Sequence, residues 1–278
     1  TNQGQDLPYL LNQTPSVVVT SDAGAGIGYT GIRIRGSDAT RINVTLNGIP
    51  LNDAESQGSF FINLPDLASS VDNIQIQRGV GTSTNGAGAF GASLNIQTTT
   101  RRDSAYAELN NTYGSFETWK NTVNVGTGLI NNKFSFDGRL SRIKSDGYVD
   151  RAFSDLSSWF VSGGYYGEKS VIKLVAFSGK EQTYQSWYGL PESKLETDRT
   201  SNFYTYDNET DNYQQDHYQL IYTGKVGSNW KTNFALHYTY GRGYYEQFRD
   251  DDKFENYGLP PVTLGDELIE RTDIIRRR

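Results

Sequence analysis

Three groups of residues in this 278-residue chain have types and spacings that could do chemistry: a GxGxxG at Gly86, Gly88 and Gly91, the histidines His217 and His237, and the acidic run Asp250-Asp251-Asp252. A GxGxxG cradles a dinucleotide when an apolar strand precedes it and a helix opens after it, because the pyrophosphate sits on free N–H groups of a helix N-terminus. Here Val80-Gly81-Thr82-Ser83-Thr84 upstream reads as polar loop, and Ser93-Leu94-Asn95-Ile96-Gln97-Thr98 downstream alternates like a strand. Those glycines therefore serve backbone geometry. The two histidines fall on neighbouring predicted strands, His237 on a polar face, and the chain has no cysteine to act as nucleophile, so lining a wet surface is the expected role. The acidic run falls in a long loop, where solvated charge is the default and capture of calcium or a cationic ligand is the alternative. No catalytic residue, metal site or cofactor is predicted, and the chain does not read as an enzyme.

The composition from which the elements holding these residues are built is unusual: 29 Gly, 19 Tyr, no Met, no Cys and 36% hydrophobic residues. That apolar share is low for a large soluble core. Without cysteine there is no disulfide framework from which to read a redox compartment. A net charge of −6 argues against a nucleic-acid partner, which needs a clustered cationic footprint. No apolar run is long enough for a transmembrane helix, yet a closed barrel crosses lipid with short alternating strands. The absence of methionine and of a leader suggests a processed chain or a piece of a longer one.

Aromatic residues divide the chain: of 36, five lie in residues 1–98 and the rest in 99–278. The first part reads as a small mixed α/β unit, with strands near Ser16–Thr20, Ile32–Arg35, Asn43–Leu46 and Asn73–Gln77 and helices at Gln5–Gln13 and Leu64–Ser70. The second part alternates with period two. Trp230, Thr232, Phe234, Leu236, Tyr238 and Tyr240 form one face and Lys231, Asn233, Ala235, His237 and Thr239 the other, which is a strand with an apolar and a polar wall. Tyr218–Val226 and Phe134–Ser141 repeat the pattern, and weaker segments bring the expectation to about seven strands.

Connections alternate between tight turns, at 129–132, 167–170 and 227–229, and long polar loops, at about 145–156, 186–214 and 248–272. An outer-membrane barrel has short periplasmic turns and long external loops. A soluble sandwich would also alternate but has no reason to gather its long loops at one end. Tyr113, Trp119, Trp159, Tyr165, Tyr166, Trp187, Tyr188, Trp230, Tyr244 and Tyr245 at strand ends fit interfacial girdles.

Residues 1–98 resemble the plug domain of TonB-dependent outer-membrane receptors. The resemblance rests on Ile32-Arg33-Ile34-Arg35-Gly36, Thr45-Leu46-Asn47-Gly48-Ile49-Pro50-Leu51-Asn52, Gln77-Arg78-Gly79 and the glycine-rich entry from Gly86 to Ile96, four elements in family order. The wording around them is similar to receptors from Bacteroidetes. Asn47 departs from the aspartate of many relatives, and the importers of oligosaccharides in the SusC group carry a different glycine-rich pattern, which leaves sugar import, like a non-transporting surface adhesin, an alternative.

The resemblance implies a plug (1–98) inside an antiparallel transmembrane β-barrel of roughly 22 strands, of which 99–278 would supply the first part. It implies TonB-energised uptake of a scarce small-molecule ligand across the outer membrane: a ferric siderophore or similar metal chelate, with haem and cobalamin open. It implies three kinds of partner: TonB, through a Ton box that this chain lacks; outer-membrane lipid; and, as an option, a surface lipoprotein. Ligand would dock on outward plug apices at Asp22–Tyr29 and Asn52–Phe61, through Asp22, Tyr29, Asn52, Asp53, Glu55, Ser56 and Gln57, with Gly24, Gly26 and Gly28 keeping the first apex flexible. Arg35 and Arg78 would hold plug to barrel by charged hydrogen bonds. The glycine-rich segment would let the backbone pass close to the barrel wall.

Overall fold

The computed structural model describes residues 2–81, 88–98 and 101–278. The N-terminal part contains helix α1 (Leu7–Leu10) and strands β1 (Val17–Ser21), β2 (Thr30–Ile34), β3 (Ile42–Leu46), β4 (Ile49–Pro50), β5 (Asn73–Arg78) and β6 (Ala92–Gln97). β1 and β2 pair as an antiparallel hairpin. The other four strands form a sheet in the order β4-β3-β6-β5, with β3 parallel to β6. Between β3 and β4, Asn47 and Gly48 both take positive φ (56° and 83°), the pairing that a tight hairpin turn of matching twist demands.

The two helices expected from sequence contract. Gln5–Gln13 keeps one turn, α1, whose N-cap Asp6 makes no capping side-chain bond, and Leu64–Ser70 becomes a 3-10 turn over Leu67–Ser70. Asp66 stands in the left-handed region (φ 53°) immediately before that turn, so a regular helix cannot run through it. The unit is therefore mostly β.

The second part is a meander of β7 (Tyr106–Gly114), β8 (Thr118–Gly126), β9 (Phe134–Ser145), β10 (Ser154–Tyr166), β11 (Ser170–Tyr184), β12 (Thr210–Val226) and β13 (Trp230–Lys253). A small hairpin, β14 (Val262–Leu264) and β15 (Glu267–Ile269), precedes β16 (Arg271–Arg277), which pairs with the far end of β13. The sheet thus has eight strands, each antiparallel to its neighbours, rather than about seven. The region 248–272, expected to be one loop, holds the end of β13, the hairpin and the start of β16. Its acidic run is polar on both faces, so this end of the strand carries no period-two alternation.

Register explains the alternation. Phe134, Tyr165, Ile172, Tyr222 and Phe234 lie in one row across the outer face; Phe136, Gly163, Leu174, Leu220 and Leu236 lie in the next. Val161, Ala176, Tyr218 and Tyr238 follow, and then Leu140 and Trp159 with Ser178 and Asp216. The next row, Asn121, Arg142, Ser157, Lys180, Gln214 and Arg242, is polar throughout. A continuous apolar belt on the exposed convex face, ending abruptly at charge, is the surface a hydrocarbon layer accepts and water does not. Leu174 and Leu236 in that belt are more than half exposed, at 58% and 53%. The belt begins at the tight turns, so the long loops extend beyond its polar edge.

The inner face packs on the N-terminal part. Phe160, Val175 and Phe177 of the wall share one hydrophobic cluster with Ile34, Leu46 and Leu94 of the plug-like unit. Members of the expected aromatic girdles also turn inward. Tyr245 pairs with Asp211 on the inner face and the Tyr166 hydroxyl accepts from buried Ser135, because a one-residue step along a strand exchanges faces; the Trp187 ring, in the loop after β11, meets Tyr29 at 5.5 Å and Tyr245 at 5.7 Å.

Candidate functional site

A buried polar centre joins the two parts. Asp66 stands between Pro65 and the 3-10 turn; its carboxylate accepts hydrogen bonds from Lys120 Nζ (2.8 Å) and Thr122 Oγ1 (2.7 Å) of β8, Ser141 Oγ (2.6 Å) of β9, and Asn2 Nδ2 (2.9 Å). Arg139 Nη1 donates to the Asp66 carbonyl (2.7 Å) and lies 3.3 Å from the carboxylate. Burial alone would raise the Asp66 pKa, but the cations of Arg139 and Lys120 hold the carboxyl below the usual carboxylate range. Beside it, Ser158 Oγ donates to the Pro65 carbonyl (2.7 Å). Gly179 of β11 has no side chain because the Asn63 carbonyl and Pro65 press against its backbone. Sequence reading missed this centre. Asp66 in a Leu-Pro-Asp-Leu stretch looks like an ordinary capping aspartate, and Lys120 and Arg139 look like lumen charges, until register sets them opposite it.

A second contact is made by Asn47. Its Nδ2 donates to Gln219 Oε1 of β12 (3.0 Å), while its Oδ1 accepts from Thr98 N (3.0 Å). An aspartate at this turn could accept the Thr98 bond but could not donate to Gln219.

The predicted docking residues divide. A cavity of about 610 Å³ opens between the plug-like unit and the inner faces of β11–β13, and it is lined by Tyr29, Asn52, Asp53 and Ser56 together with Asp211 and both histidines. Asp22, Glu55 and Gln57 do not line it. Tyr29 donates its hydroxyl to the Asp211 carboxylate, and burial together with nearby Glu181 and Asp211 pushes the Tyr29 pKa well above its ordinary value, so it donates as a neutral phenol. Asn52 is occupied structurally: Oδ1 accepts from Val44 N (2.7 Å) and Nδ2 donates to the Ile42 and Gln57 carbonyls. Asp53 caps its own turn, accepting from Ser56 N (2.7 Å) and Glu55 N (3.0 Å), and those bonds lower its pKa. Burial pushes the Asp22 carboxyl up to about 6. His217 stacks on Phe177 at 4.4 Å and shares hydrogen bonds with Gln215 and Thr239, a packed arrangement with no metal geometry. Asp252 accepts from Asn256 and Tyr257, and Asp251 pairs with Arg271, so two members of the acidic run brace the end of β13 against the following turn and β16.

Two expectations about glycines change. Gly24 and Gly26 take positive φ (75° and 73°), and a Cβ at either would press on Tyr148 or Tyr9, so the first apex is packed rather than flexible. Its Ala23 carbonyl also accepts from Tyr148 N (2.7 Å) in the 146–153 loop. Gly91 approaches Ser37 and the Arg41 carbonyl of its own unit, not the wall, because β6 lies in the interior of the four-stranded sheet. Gly86 lies outside the described residues. Arg35, in the left-handed region (φ 52°), is exposed, and Arg78 Nη1 donates to the Pro15 carbonyl (3.0 Å) within the same unit.

The family comparison matches residues 1–93 to the TonB-dependent receptor plug domain. No curated protein matches the chain. Among solved structures, the ferric citrate transporter FecA in its unliganded form is 18% identical with a TM-score of 0.69, covering 87% of this chain and 38% of that one. The ferric-catecholate import receptor Fiu from E. coli K12, in its open form, is 16% identical with a TM-score of 0.67, covering 98% and 42%. The copper transporter OprC is 15% identical with a TM-score of 0.66, covering 88% and 35%. The chain therefore spans well under half the length of these structures, and at such identities they speak for fold alone. Residues 1–93 match the TonB-dependent receptor plug domain, and the chain as a whole shares its fold with part of each of those structures.

Proposed function

We propose that the full-length protein is an outer-membrane receptor that imports a scarce ligand with energy supplied through TonB. The ligand is a ferric siderophore or similar metal chelate, with haem and cobalamin as the other members of the set. The observation that carries this reading is the cavity, about 610 Å³, lined jointly by the plug through Tyr29 and Asn52 and by the wall through Asp211 and His237. A site split between a plug and its wall lets remodelling of the plug release what is bound. Import rather than catalysis also suits the residues: His217 is taken up by stacking on Phe177 and by hydrogen bonds to Gln215 and Thr239, and His237 stands exposed on the inner face of β13.

In this reading residues 1–98 are the plug and 99–278 the start of a barrel that closes with further strands. TonB acts through a segment ahead of Thr1. Asp22, Glu55 and Gln57 contact ligand from the apex rim, and Arg35 and Arg78 meet carboxylates on strands beyond this chain. The Bacteroidetes-like wording of the plug makes a surface lipoprotein the partner to look for.

The test is uptake of radiolabelled ferric chelates, haem and cobalamin by cells expressing the full-length receptor, with and without TonB. TonB-dependent uptake of one of them is expected. Uptake of none, or of glycans instead, overturns the assignment and favours oligosaccharide import.

A further inference from the structure

The cavity's chemistry is one-sided. Among the described residues that line it, Asp53, Glu181 and Asp211 are acidic and none is Lys or Arg. Glu181 and Asp211 lie diagonally across neighbouring strands: Glu181 pairs with Tyr213, and Asp211 with Thr183. Both are buried, at 2% and 8% exposure, and a third carboxyl, Asp6, is buried beside them. Among the described residues none of the three forms an ion pair. Asp211 has the Tyr29 hydroxyl, Asp6 has Thr30 and Glu181 Oε2 has Thr183. Glu181 Oε1, sealed from solvent, has no hydrogen-bond partner among the described residues.

A buried carboxylate without a counter-charge is strongly unfavourable, and an unpaired buried acceptor adds to the cost. The cavity also offers the aromatic faces of Tyr29, Phe60 and Tyr213, the surfaces that attract an organic cation. We propose that Glu181 and Asp211, with these rings, form a subsite for a cationic nitrogen of the imported ligand, an ammonium or guanidinium group. This rests on the import reading and narrows it: the chelate presents positive charge to this side of the lumen, so a purely anionic chelate is a poor fit. Proton uptake by the carboxyls is the competing way to relieve the same cost.

The test uses ethylguanidinium and citrate as probes, titrated by calorimetry into the purified full-length receptor in detergent. Saturable binding of ethylguanidinium, with citrate at least about tenfold weaker, is expected for the native receptor. Glu181→Gln combined with Asp211→Asn should weaken ethylguanidinium by about tenfold or more. Absence of saturable ethylguanidinium binding, or citrate binding as tightly, overturns the subsite, and this comparison needs only the native protein. The import reading fails separately, through loss of TonB-dependent uptake. Uptake without cation binding sinks the subsite alone, and cation binding without uptake sinks import alone.

Discussion

The Asp66 carboxylate of the plug lies 2.8 Å from the Lys120 ammonium of β8, with both side chains essentially sealed from water. Asn2, near the start of the chain, shares that carboxylate, so a pull on the N-terminal end would load this centre directly. The anchor is strong while intact and costly when half-removed, because each lost partner strands a buried charge.

Asp66→Ala leaves Lys120 and Arg139 buried without their counter-ion. A loss of about 3–5 kcal/mol in plug anchoring is expected. Limited proteolysis of the full-length receptor checks it: the 60–70 segment should become cleavable, whereas unchanged resistance would show that the shared hydrophobic cluster alone holds the plug.

Two plug carboxyls give pH dependences of opposite sign. Asp66 titrates below the ordinary carboxylate value of about 3.9, so its contribution is complete above that value and is lost as pH falls through the lower folded value. Asp22 titrates up near 6, so its contribution is complete below about 3.9 and is lost as pH rises through about 6. Hydrogen exchange of plug amides across this range reads both. Asp22→Asn should flatten the upper limb and leave the lower one; a change in the lower limb would assign it to the wrong group.

Gly179→Ala places a methyl against the Asn63 carbonyl and Pro65. Overpacking of about 1–3 kcal/mol is expected, felt as a looser plug. Gly189→Ala, with nothing within 4 Å of the new Cβ, is the control and should be neutral. Equal effects of the two on plug proteolysis would remove the close approach as the reason for Gly179.

Leu236→Arg puts a charge in the outward apolar belt, where a cost of roughly 2–4 kcal/mol is expected at mid-depth. Gln214→Arg, in the polar row beyond the belt, should be tolerated. The yield of folded, heat-modifiable receptor in the outer membrane decides it. Tolerance of both would mean that this face does not meet hydrocarbon.

Arg35→Ala should raise passive leak of a large antibiotic through the full-length receptor, if the exposed guanidinium meets carboxylates on the remaining strands. An unchanged leak would show that Asp66, Asn47 and the shared hydrophobic cluster seat the plug without Arg35.

Most of the wall was legible residue by residue: seven strands and the tight turns between them, though not β16 or the far ends of β12 and β13. Period-two alternation in β9, β12 and β13 and the tight-long succession of connections follow from local pleat and turn chemistry, which are readable one residue at a time. The sequence also carried the plug's identity, because positions such as Asn47-Gly48 demand particular backbone angles. Tertiary structure alone decided what the polar residues do. Lys120, Arg139 and Ser141 converge on Asp66 from two strands far away in sequence, and Glu181 meets Asp211 through register between strands separated by a long loop. A charge has the same local signal whether it faces water or a buried partner, and register, a property of pairs of strands, chooses between them.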